Sequence, residues 1–424
     1  MLEKILDRRN IEKAIVAVER NNGAGGIDNM QCDELRPFIN ANCQCIISSI
    51  QLGTYKPQAV RKVEIPKAQA GVRMLGIPSV VDRMLQQAIH QWLSPYCEEK
   101  FNENSFGFRP KKNAQQAVLK AQEYINAGYT WTIELDLEKF FDTVNHRKLM
   151  DLLHKQIADK GTLQLINRYL KCGIMEGGVV SQRVSGTPQG SPLSPLLSNI
   201  LLNELDNELS KRGHKFVRYA DDCSIYVKSK KSAERTQASI IDYIENKLLL
   251  KVNREKTRIS RPNTSNLLGF SFYKDKSGYQ IRIGNKSLER IKTKCKHITK
   301  SSNPTEEGIK LKQLDKVIRG WVNYFSIAKA KRKMEELDSM VRTRLRISAW
   351  KRWKRIKTKV CNLIKLGVSK SQAYQWGNTS KGACRVAHSP ILLKTLSINY
   401  WRSKGYIGFY NYYYWQTEKQ LKLF

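Results

Sequence analysis

The charge along this chain of 424 residues is distributed unevenly. In total 74 Lys and Arg stand against 38 Asp and Glu, which gives a formal net charge of +36. From Ser339 to Thr417 the chain has sixteen Lys or Arg residues and no acidic residue. Like charges repel one another at helical spacing, so a single-sign surface of this length is costly without a counter-charge. The pattern predicts a polyanionic partner, most simply nucleic acid, for the C-terminal part.

Residues 1–285 differ from this basic part, because their charge is mixed and strand patterns alternate with helix patterns. Apolar residues at helical spacing predict a helix over 112–127, which Gly128 ends. A strand pattern over 129–135 then delivers Asp136 at its end. Ser194 is a suitable cap for a further helix, with a proline at the first helical position. These alternations predict an α+β fold.

Two short strand patterns, 216–219 and 223–227, surround an Ala-Asp-Asp triplet, and this arrangement predicts a hairpin with two carboxylates at its turn. Adjacent carboxylates repel unless a cation lies between them, and Mg²⁺ prefers oxygen ligands. Asp221 and Asp222 are therefore candidate metal ligands, with Asp136 as the third. An Asp-Asp pair alone is weak support, since surface turns often contain one.

Further motifs accompany these carboxylates in a characteristic order. Blocks similar to those of reverse transcriptases occur at Ser105–Pro110, Asp136–Asp142, Gly186–Pro195 and Phe216–Val227. Ile318–Phe325 resembles the thumb motif of maturases. Over essentially its whole length the chain resembles bacterial group II intron reverse transcriptases (maturases). The sequence shows no terminal Cys/His cluster, and in this respect it resembles the class C branch of the family, which lacks an endonuclease domain.

The resemblance implies an α+β right-hand polymerase, in which the fingers and an antiparallel palm sheet are followed by an α-helical thumb and a small basic C-terminal domain. We predict four segments on this basis. They are an N-terminal extension (1–60), the fingers and palm (61–285), the helical thumb or maturase domain (286–365) and a basic DNA-binding domain (366–424).

The resemblance also assigns roles to individual side chains. Asp136, Asp221 and Asp222 would hold two Mg²⁺ ions, with Mn²⁺ as an alternative, for two-metal-ion nucleotidyl transfer. Phe141 would lie under the sugar and exclude a 2′-hydroxyl group, whereas Phe140 is expected in the core. The predicted nucleotide-binding residues are Lys67, Arg73, Phe141, Gln189 and Lys256.

A basic helical stretch supplies the predicted nucleic-acid contacts, because its cations alternate with apolar residues that would pack inward. These contacts are Arg342, Arg344, Arg346, Lys351, Arg352, Lys354 and Arg355. Nine aromatic residues follow between Tyr400 and Trp415. A small satellite core and base stacking both remain open for them, and the resemblance implies a DNA-binding segment.

The implied function is that of an RNA-directed DNA polymerase, which copies group II intron RNA into DNA during retrohoming and assists the splicing of that RNA. Its partners would be intron RNA in a ribonucleoprotein, an RNA template–DNA primer duplex, target DNA and dNTPs. Two alternatives stay open: a domesticated reverse transcriptase in repair or phage defence, and an RNA-binding factor that acts in splicing only. No run of 18 apolar residues predicts a membrane span, and the N-terminus lacks a signal-peptide pattern, so we expect a bacterial cytoplasmic protein, nucleoid-associated when on DNA. The sequence leaves the oligomeric state undetermined.

Overall fold

The computed structural model describes residues 1–66, 72–176, 179–303 and 305–421, and it divides into two compact units, Met1–Ser265 and Asn266–Phe424. Within the described ranges, no helix combines the length and the apolar character that crossing a bilayer requires. The predicted segment limits at residues 60, 285 and 365 stay predictions.

The first unit contains helices and strands in alternation. Its helices are α1 (Leu2–Ile5), α2 (Arg8–Asn21), α3 (Leu35–Gln51), α4 (Val80–Glu98), α5 (Ala114–Asn126), α6 (Phe140–Thr143), α7 (His146–Gln156), α8 (Lys160–Lys171), α9 (Ser194–Lys211) and α10 (Lys230–Asn246). Its strands are β1 (Val60–Pro66), β2 (Val72–Ile77), β3 (Trp131–Leu135), β4 (Ile174–Glu176), β5 (Val179–Ser181), β6 (Lys215–Tyr219), β7 (Asp222–Val227) and β8 (Arg258–Ser260).

These strands form two four-stranded sheets. One has the order β6-β7-β3-β8 and is antiparallel throughout. The other has the order β2-β1-β4-β5, in which β1 and β4 are parallel. The first sheet places β3 beside the β6–β7 hairpin, as a palm sheet requires. The predicted α+β class with an antiparallel sheet is therefore confirmed.

Local sequence accounts for where the helices begin. Asn113 caps α5 in a capping box with Gln116, so the predicted helix forms and ends one residue before Ala127. The start of α9 differs from the prediction. Ser194 is its first helical residue rather than its cap, and its hydroxyl donates to the carbonyl oxygen of Pro188 at 2.8 Å instead of capping the helix.

The core of the first unit lies where its helices cover the antiparallel sheet. Ile133 of β3, Phe216 of β6 and Ile225 of β7 are fully buried, as are Leu201 and Leu209 of α9. Burial of each such side chain stabilises the fold by about 1.5–3 kcal/mol relative to exposure. The apolar contacts hold the sheet rigidly, so residues at the ends of β3 and β7 are fixed in position.

The second unit consists of one antiparallel hairpin and a set of helices. The hairpin is β9 (Phe270–Asp275) and β10 (Gly278–Ile283). The helices are α11 (Asn285–Ile298), α12 (Glu307–Phe325), α13 (Lys331–Arg352), α14 (Ile356–Lys365), α15 (Lys370–Gly377), α16 (Ala383–Ala387), α17 (Pro390–Thr395), α18 (Ile398–Ser403) and α19 (Phe409–Leu421).

Aromatic residues near the C-terminus pack into the core of this second unit. Trp401 and Phe409 are fully buried, and the Phe409 ring meets Trp321 of α12 edge to face at 5.8 Å. Tyr414 and Trp415, in contrast, are about half exposed. The satellite-core interpretation is therefore confirmed for the buried rings, and base stacking stays a prediction for the exposed pair.

The basic helical stretch is divided in two. Helix α13 ends at Arg352 and α14 begins at Ile356, whereas the sequence pattern predicted one continuous stretch. A continued helix would bring the cations of Lys351 and Arg355 together at i,i+4 spacing, and the same Lys351 cation beside Lys354 at i,i+3. Such like-charge pairs disfavour a helix by a few tenths of a kcal/mol, so they favour a helix end at this position.

Candidate active site

The sheet register brings the predicted carboxylates to one edge. Strands β3 and β7 pair with Leu135 opposite Cys223, so the adjacent residues Asp136 and Asp222 lie opposite each other. The β6–β7 hairpin turns through Ala220 and Asp221, and Asp222 pairs with Tyr219 as the first residue of β7. One of the two hairpin carboxylates thus lies in the turn and the other begins the strand, whereas both were predicted at the turn.

These carboxylates influence one another electrostatically. The pKa of Asp222 is raised to about 6, chiefly because surrounding protein atoms shield its carboxylate from water, although the side chain still reaches the surface. The negative charges of Asp221 and then Asp136 raise it further, and the nearby Lys256 cation acts in the opposite direction. The arrangement therefore concentrates negative charge that a divalent cation would neutralise.

The donor set fits a hard divalent ion, since carboxylate oxygens are the ligands that Mg²⁺ prefers. Among the described residues, no three His, Cys, Asp or Glu side chains are already gathered closely enough to coordinate one ion. Asp136 instead pairs through Oδ2 with Nζ of Lys256 at 3.3 Å. Side-chain rotation that releases this pair would be needed for Asp136 to join Asp221 and Asp222 around a cation.

A buried polar network fixes the hairpin turn from below, and sequence reasoning missed it. Arg218 is fully buried and donates from Nε and Nη2 to both oxygens of Asp206 on α9, at 2.7 and 2.6 Å. Its Nη1 donates to Asn199 Oδ1 at 3.0 Å and to the carbonyl oxygen of Ala220 at 2.9 Å. The guanidinium thus connects the turn that carries Asp221 to a core helix.

The only available signal for this network was an arginine among apolar strand residues and an aspartate on the apolar side of a predicted helix. Either residue alone is as consistent with a solvent-exposed side chain as with a buried one. Their pairing depends on how α9 packs against β6, which the local sequence does not specify.

The turn also needs close backbone packing at Gly107. Here a Cβ atom would lie 2.1 Å from the backbone nitrogen of Ala220, so no larger residue fits. The neighbouring Phe106 N–H donates to the carbonyl oxygen of Arg218 at 2.8 Å, and Asn199 donates from Nδ2 to the Gly107 carbonyl at 2.9 Å. Ala220 itself adopts a φ of +57°, which costs a non-glycine residue about 1–2 kcal/mol. The Ser105–Pro110 block therefore supports the turn.

A cavity of about 560 Å³ in the same unit is lined by Phe141 and Gln189. Phe140 is 3% exposed and belongs to the core, as predicted, while Phe141 is only partly buried. The volume and the mixed lining suit a nucleotide-sized ligand. Residues that were not predicted also line this cavity, among them Arg83, Gln87 and Phe108.

The loop that carries Gln189 is held against α6. Gly186 has a φ of +84°, and a Cβ atom there would lie 2.7 Å from the carbonyl oxygen of Phe141. The Thr187 N–H donates to that same carbonyl at 2.6 Å, and Nε2 of the buried His146 lies 2.7 Å from the Gly186 carbonyl oxygen. These contacts bring Gln189 and Phe141 to one cavity.

The remaining predicted nucleotide contacts are placed differently. Lys67 lies outside the described residues. The backbone of Arg73 pairs with Ile65, where β1 and β2 run antiparallel. Lys256 lies beside Asp136 and is not among the residues that line the cavity. Their roles in nucleotide binding stay predictions.

The predicted nucleic-acid contacts of the second unit divide into bonded and free groups. Arg344 donates to the Thr299 hydroxyl at 2.8 Å and to the carbonyl oxygen of Lys296 at 3.1 Å. Arg352 pairs with Glu307 at 2.9 Å. Arg346 is buried and Arg342 lines a cavity. Lys351, Lys354 and Arg355 are exposed, as Arg352 is, but they have no ion pair among the described residues. These three side chains are the best placed to meet an external phosphate.

Comparisons with known proteins agree with this architecture. Residues 65–272 match the family described as reverse transcriptase (RNA-dependent DNA polymerase), and residues 288–366 match the group II intron, maturase-specific domain. Protein YkfC of Escherichia coli K12 is 31% identical over 298 residues, which cover 61% of this chain and 78% of YkfC.

Shorter matches extend to proteins named for introns. The group II intron-encoded protein LtrA of Lactococcus lactis is 36% identical over 153 residues, which cover 36% of this chain and 25% of LtrA. The Arabidopsis thaliana nuclear intron maturase 1 is 31% identical over 94 residues, 22% of this chain and 13% of that protein. The match thus spans only a quarter of LtrA. The predicted α+β right-hand polymerase class is confirmed, and the chain belongs to the group II intron reverse transcriptases, which are RNA-directed DNA polymerases with a maturase domain.

Proposed function

We propose that this polymerase copies group II intron RNA into DNA during retrohoming and assists the splicing of that RNA, using two divalent cations held by Asp136, Asp221 and Asp222. The observation that carries the proposal is the β3–β7 register, which sets Asp136 opposite Asp222 in the unit that also contains the nucleotide-sized cavity. A splicing-only factor would have no use for this carboxylate edge. Primer extension and splicing of an intron RNA, measured separately on the same preparation, test the two halves of the proposal.

The chemistry would follow from the carboxylate edge and the cavity. Two bound divalent ions would supply activation of the primer 3′-hydroxyl and stabilisation of the leaving pyrophosphate during in-line displacement at the α-phosphate. The chain itself would hold those ions through Asp136 and the hairpin carboxylates. Phe141 would orient the sugar, and the loop at Gln189 would position the incoming base. Lys256, now paired with Asp136, becomes available to the pyrophosphate once that pair opens.

Phe141→Val should relax the choice between deoxynucleotides and ribonucleotides. The partly buried ring lines the cavity, and its removal makes room for a 2′-hydroxyl group. We expect discrimination against ribonucleotides to fall by roughly 100-fold, while dNTP use is partly retained. The measurement is the ratio of kcat/KM for matched dNTP and NTP in single-nucleotide extension.

Leu75→Val is the matched control, because Leu75 lines the same cavity from β2, where a β-branched residue suits the strand. It should leave discrimination near the wild-type value. If Phe141→Val discriminated against ribonucleotides as strongly as wild type, another residue would have to exclude the 2′-hydroxyl group.

Replacing Lys351, Lys354 and Arg355 together by Gln should weaken binding of RNA and of template–primer regardless of sequence. These side chains are exposed, and each phosphate they neutralise releases counterions. The log–log dependence of affinity on salt should become shallower by about 0.7–0.9 per lost contact. Arg352→Gln is the comparison, since its guanidinium is already paired with Glu307 and should change the slope less. An unchanged slope in the triple variant would contradict the electrostatic interpretation of this segment.

A further inference from the structure

A second cavity, of about 540 Å³, lies in the second unit beside α13 and the short C-terminal helices. Three arginines line it, Arg342, Arg346 and Arg402, and we name it the arginine pocket after them. Its other lining residues include Ser397 and Asn399. No carboxylate is among the lining residues, so the wall combines cations with neutral hydrogen-bonding groups.

Arg346 is the most constrained of the three. It is 6% exposed, and its Nε donates to the carbonyl oxygen of Leu396 at 3.2 Å, which fixes the plane of the guanidinium. Burial, and then the charge of Arg342, lower its pKa. A buried cation is costly unless a counter-charge accompanies it. The protein therefore places a desolvated positive charge against a wall of this cavity.

Carboxylates lie near two of these arginines without pairing with them, because Glu335 and Asp338 line an adjoining cavity together with Arg342 and Arg402. None of the three arginines forms an ion pair within 4.0 Å among the described side chains. Asp338, one turn before Arg342 on α13, accepts hydrogen bonds from the Tyr406 hydroxyl and from the backbone N–H groups of Phe409 and Tyr410, at 2.7–2.9 Å. That carboxylate is thus occupied at the start of α19. The pocket keeps a net positive charge that an external anion can neutralise.

We propose that the arginine pocket is a discrete binding site for a backbone phosphate of RNA or DNA. This proposal rests on the proposed function and adds where the nucleic acid is held. Guanidinium groups bind phosphate oxygens in a planar, forked geometry, and several that converge on one cavity select a phosphate rather than a diffuse anionic surface. The hydroxyl group of Ser397 and the amide of Asn399 can complete the set of donors. The volume leaves room for the adjoining sugar.

The pocket differs physically from the exposed cations at 351, 354 and 355. Those long side chains are exposed and can meet phosphates at many positions along a strand. The buried Arg346 instead fixes one location, because its guanidinium is held by Leu396 and by packing. A phosphate there would set the position of the nucleic acid on the second unit.

The test compares Arg342→Gln/Arg402→Gln with the control Lys312→Gln/Arg332→Gln in the full chain. Both doubles remove two positive charges from the same unit, and the control side chains are exposed, Arg332 to 92%. The probes are a short RNA oligonucleotide and a DNA oligonucleotide of the same sequence, titrated at several salt concentrations. Arg402→Gln alone is the further variant, because Arg402 is exposed and its replacement removes one exposed hydrogen bond, to Asn411.

We expect the pocket double to bind at least one of the two oligonucleotides about tenfold more weakly, with a salt slope shallower by roughly 0.7 per lost contact. The control double should lose less on both measures, and Arg402→Gln should lie between wild type and the pocket double. A loss on RNA alone, on DNA alone or on both identifies which phosphate the pocket holds. Equal losses in the two doubles would overturn the proposal.

Primer extension at saturating template–primer separates this site from the proposed chemistry. The control double should extend at the wild-type rate, since its exposed side chains lie outside both the carboxylate edge and the arginine pocket. If the wild-type chain failed to extend at all, the proposed function would fail while the oligonucleotide result still stood on its own.

Discussion

Asp221→Asn is expected to abolish Mg²⁺-dependent primer extension on an RNA template. The substitution keeps the shape of the side chain in the β6–β7 turn but removes one negative charge from the carboxylate edge. Metal ions contribute several kcal/mol of transition-state stabilisation. Loss of that contribution should lower the extension rate by roughly 10³-fold or more. The measurement is single-turnover extension at saturating dNTP and Mg²⁺.

The fold and the RNA-binding surface should be unaffected, because Asp221 lies in the turn and its side chain is not part of the core. Intron RNA binding should therefore match wild type, and any splicing assistance should persist. Asp151→Asn is the matched control, an exposed carboxylate on α7 whose charge loss should leave the extension rate unchanged. Extension by Asp221→Asn within a few fold of wild type would refute the metal-ligand assignment.

Asp206→Asn should strongly destabilise the first unit. It leaves the fully buried Arg218 guanidinium without a negative partner, and breaking a buried ion pair on one side costs about 3–5 kcal/mol. That loss is a large fraction of the about 5–15 kcal/mol by which proteins are usually stable. Urea unfolding followed by circular dichroism measures it.

Glu208→Gln is the comparison on the same helix. Glu208 pairs with Arg212 at 2.7 Å but the pair is partly exposed, so its loss should cost about 0–1 kcal/mol. Similar losses of unfolding free energy in both variants would mean that the buried Arg218–Asp206 pair stabilises the fold no more than an exposed pair does.

A double replacement, Asp206→Leu with Arg218→Met, separates stability from the support of the turn. Exchange of a buried ion pair for apolar side chains of similar volume is often neutral, so most of the stability should return. Primer extension should still fall below the wild-type rate, because the Ala220 carbonyl loses the Nη1 donor that holds the turn next to Asp221. Full recovery of extension would show that the turn does not depend on Arg218.

Much of the fold could be predicted from local patterns. The α5 helix, the β3 strand and the β6–β7 hairpin follow from apolar spacing, from a capping residue and from a short polar turn, all of which act over a few residues. The candidate carboxylates could be found for the same reason, since each lies at the end of a recognisable strand or in the turn beside it. The pattern failed at the end of α13, where repulsion between successive cations competes with helix propensity.

The sequence by itself determined the order of the motifs, the carboxylates at the strand ends and the excess of positive charge in the C-terminal part. Only the tertiary structure decided that Arg218 donates to Asp206 and to the Ala220 carbonyl. It also decided that the backbone of the turn packs directly against Gly107. It also divided the cations into those that bond within the protein, such as Arg344, and those that face outward. The physical reason is range: secondary structure responds to neighbours along the chain, whereas burial and pairing of a charge depend on residues that meet only when helices and sheets pack.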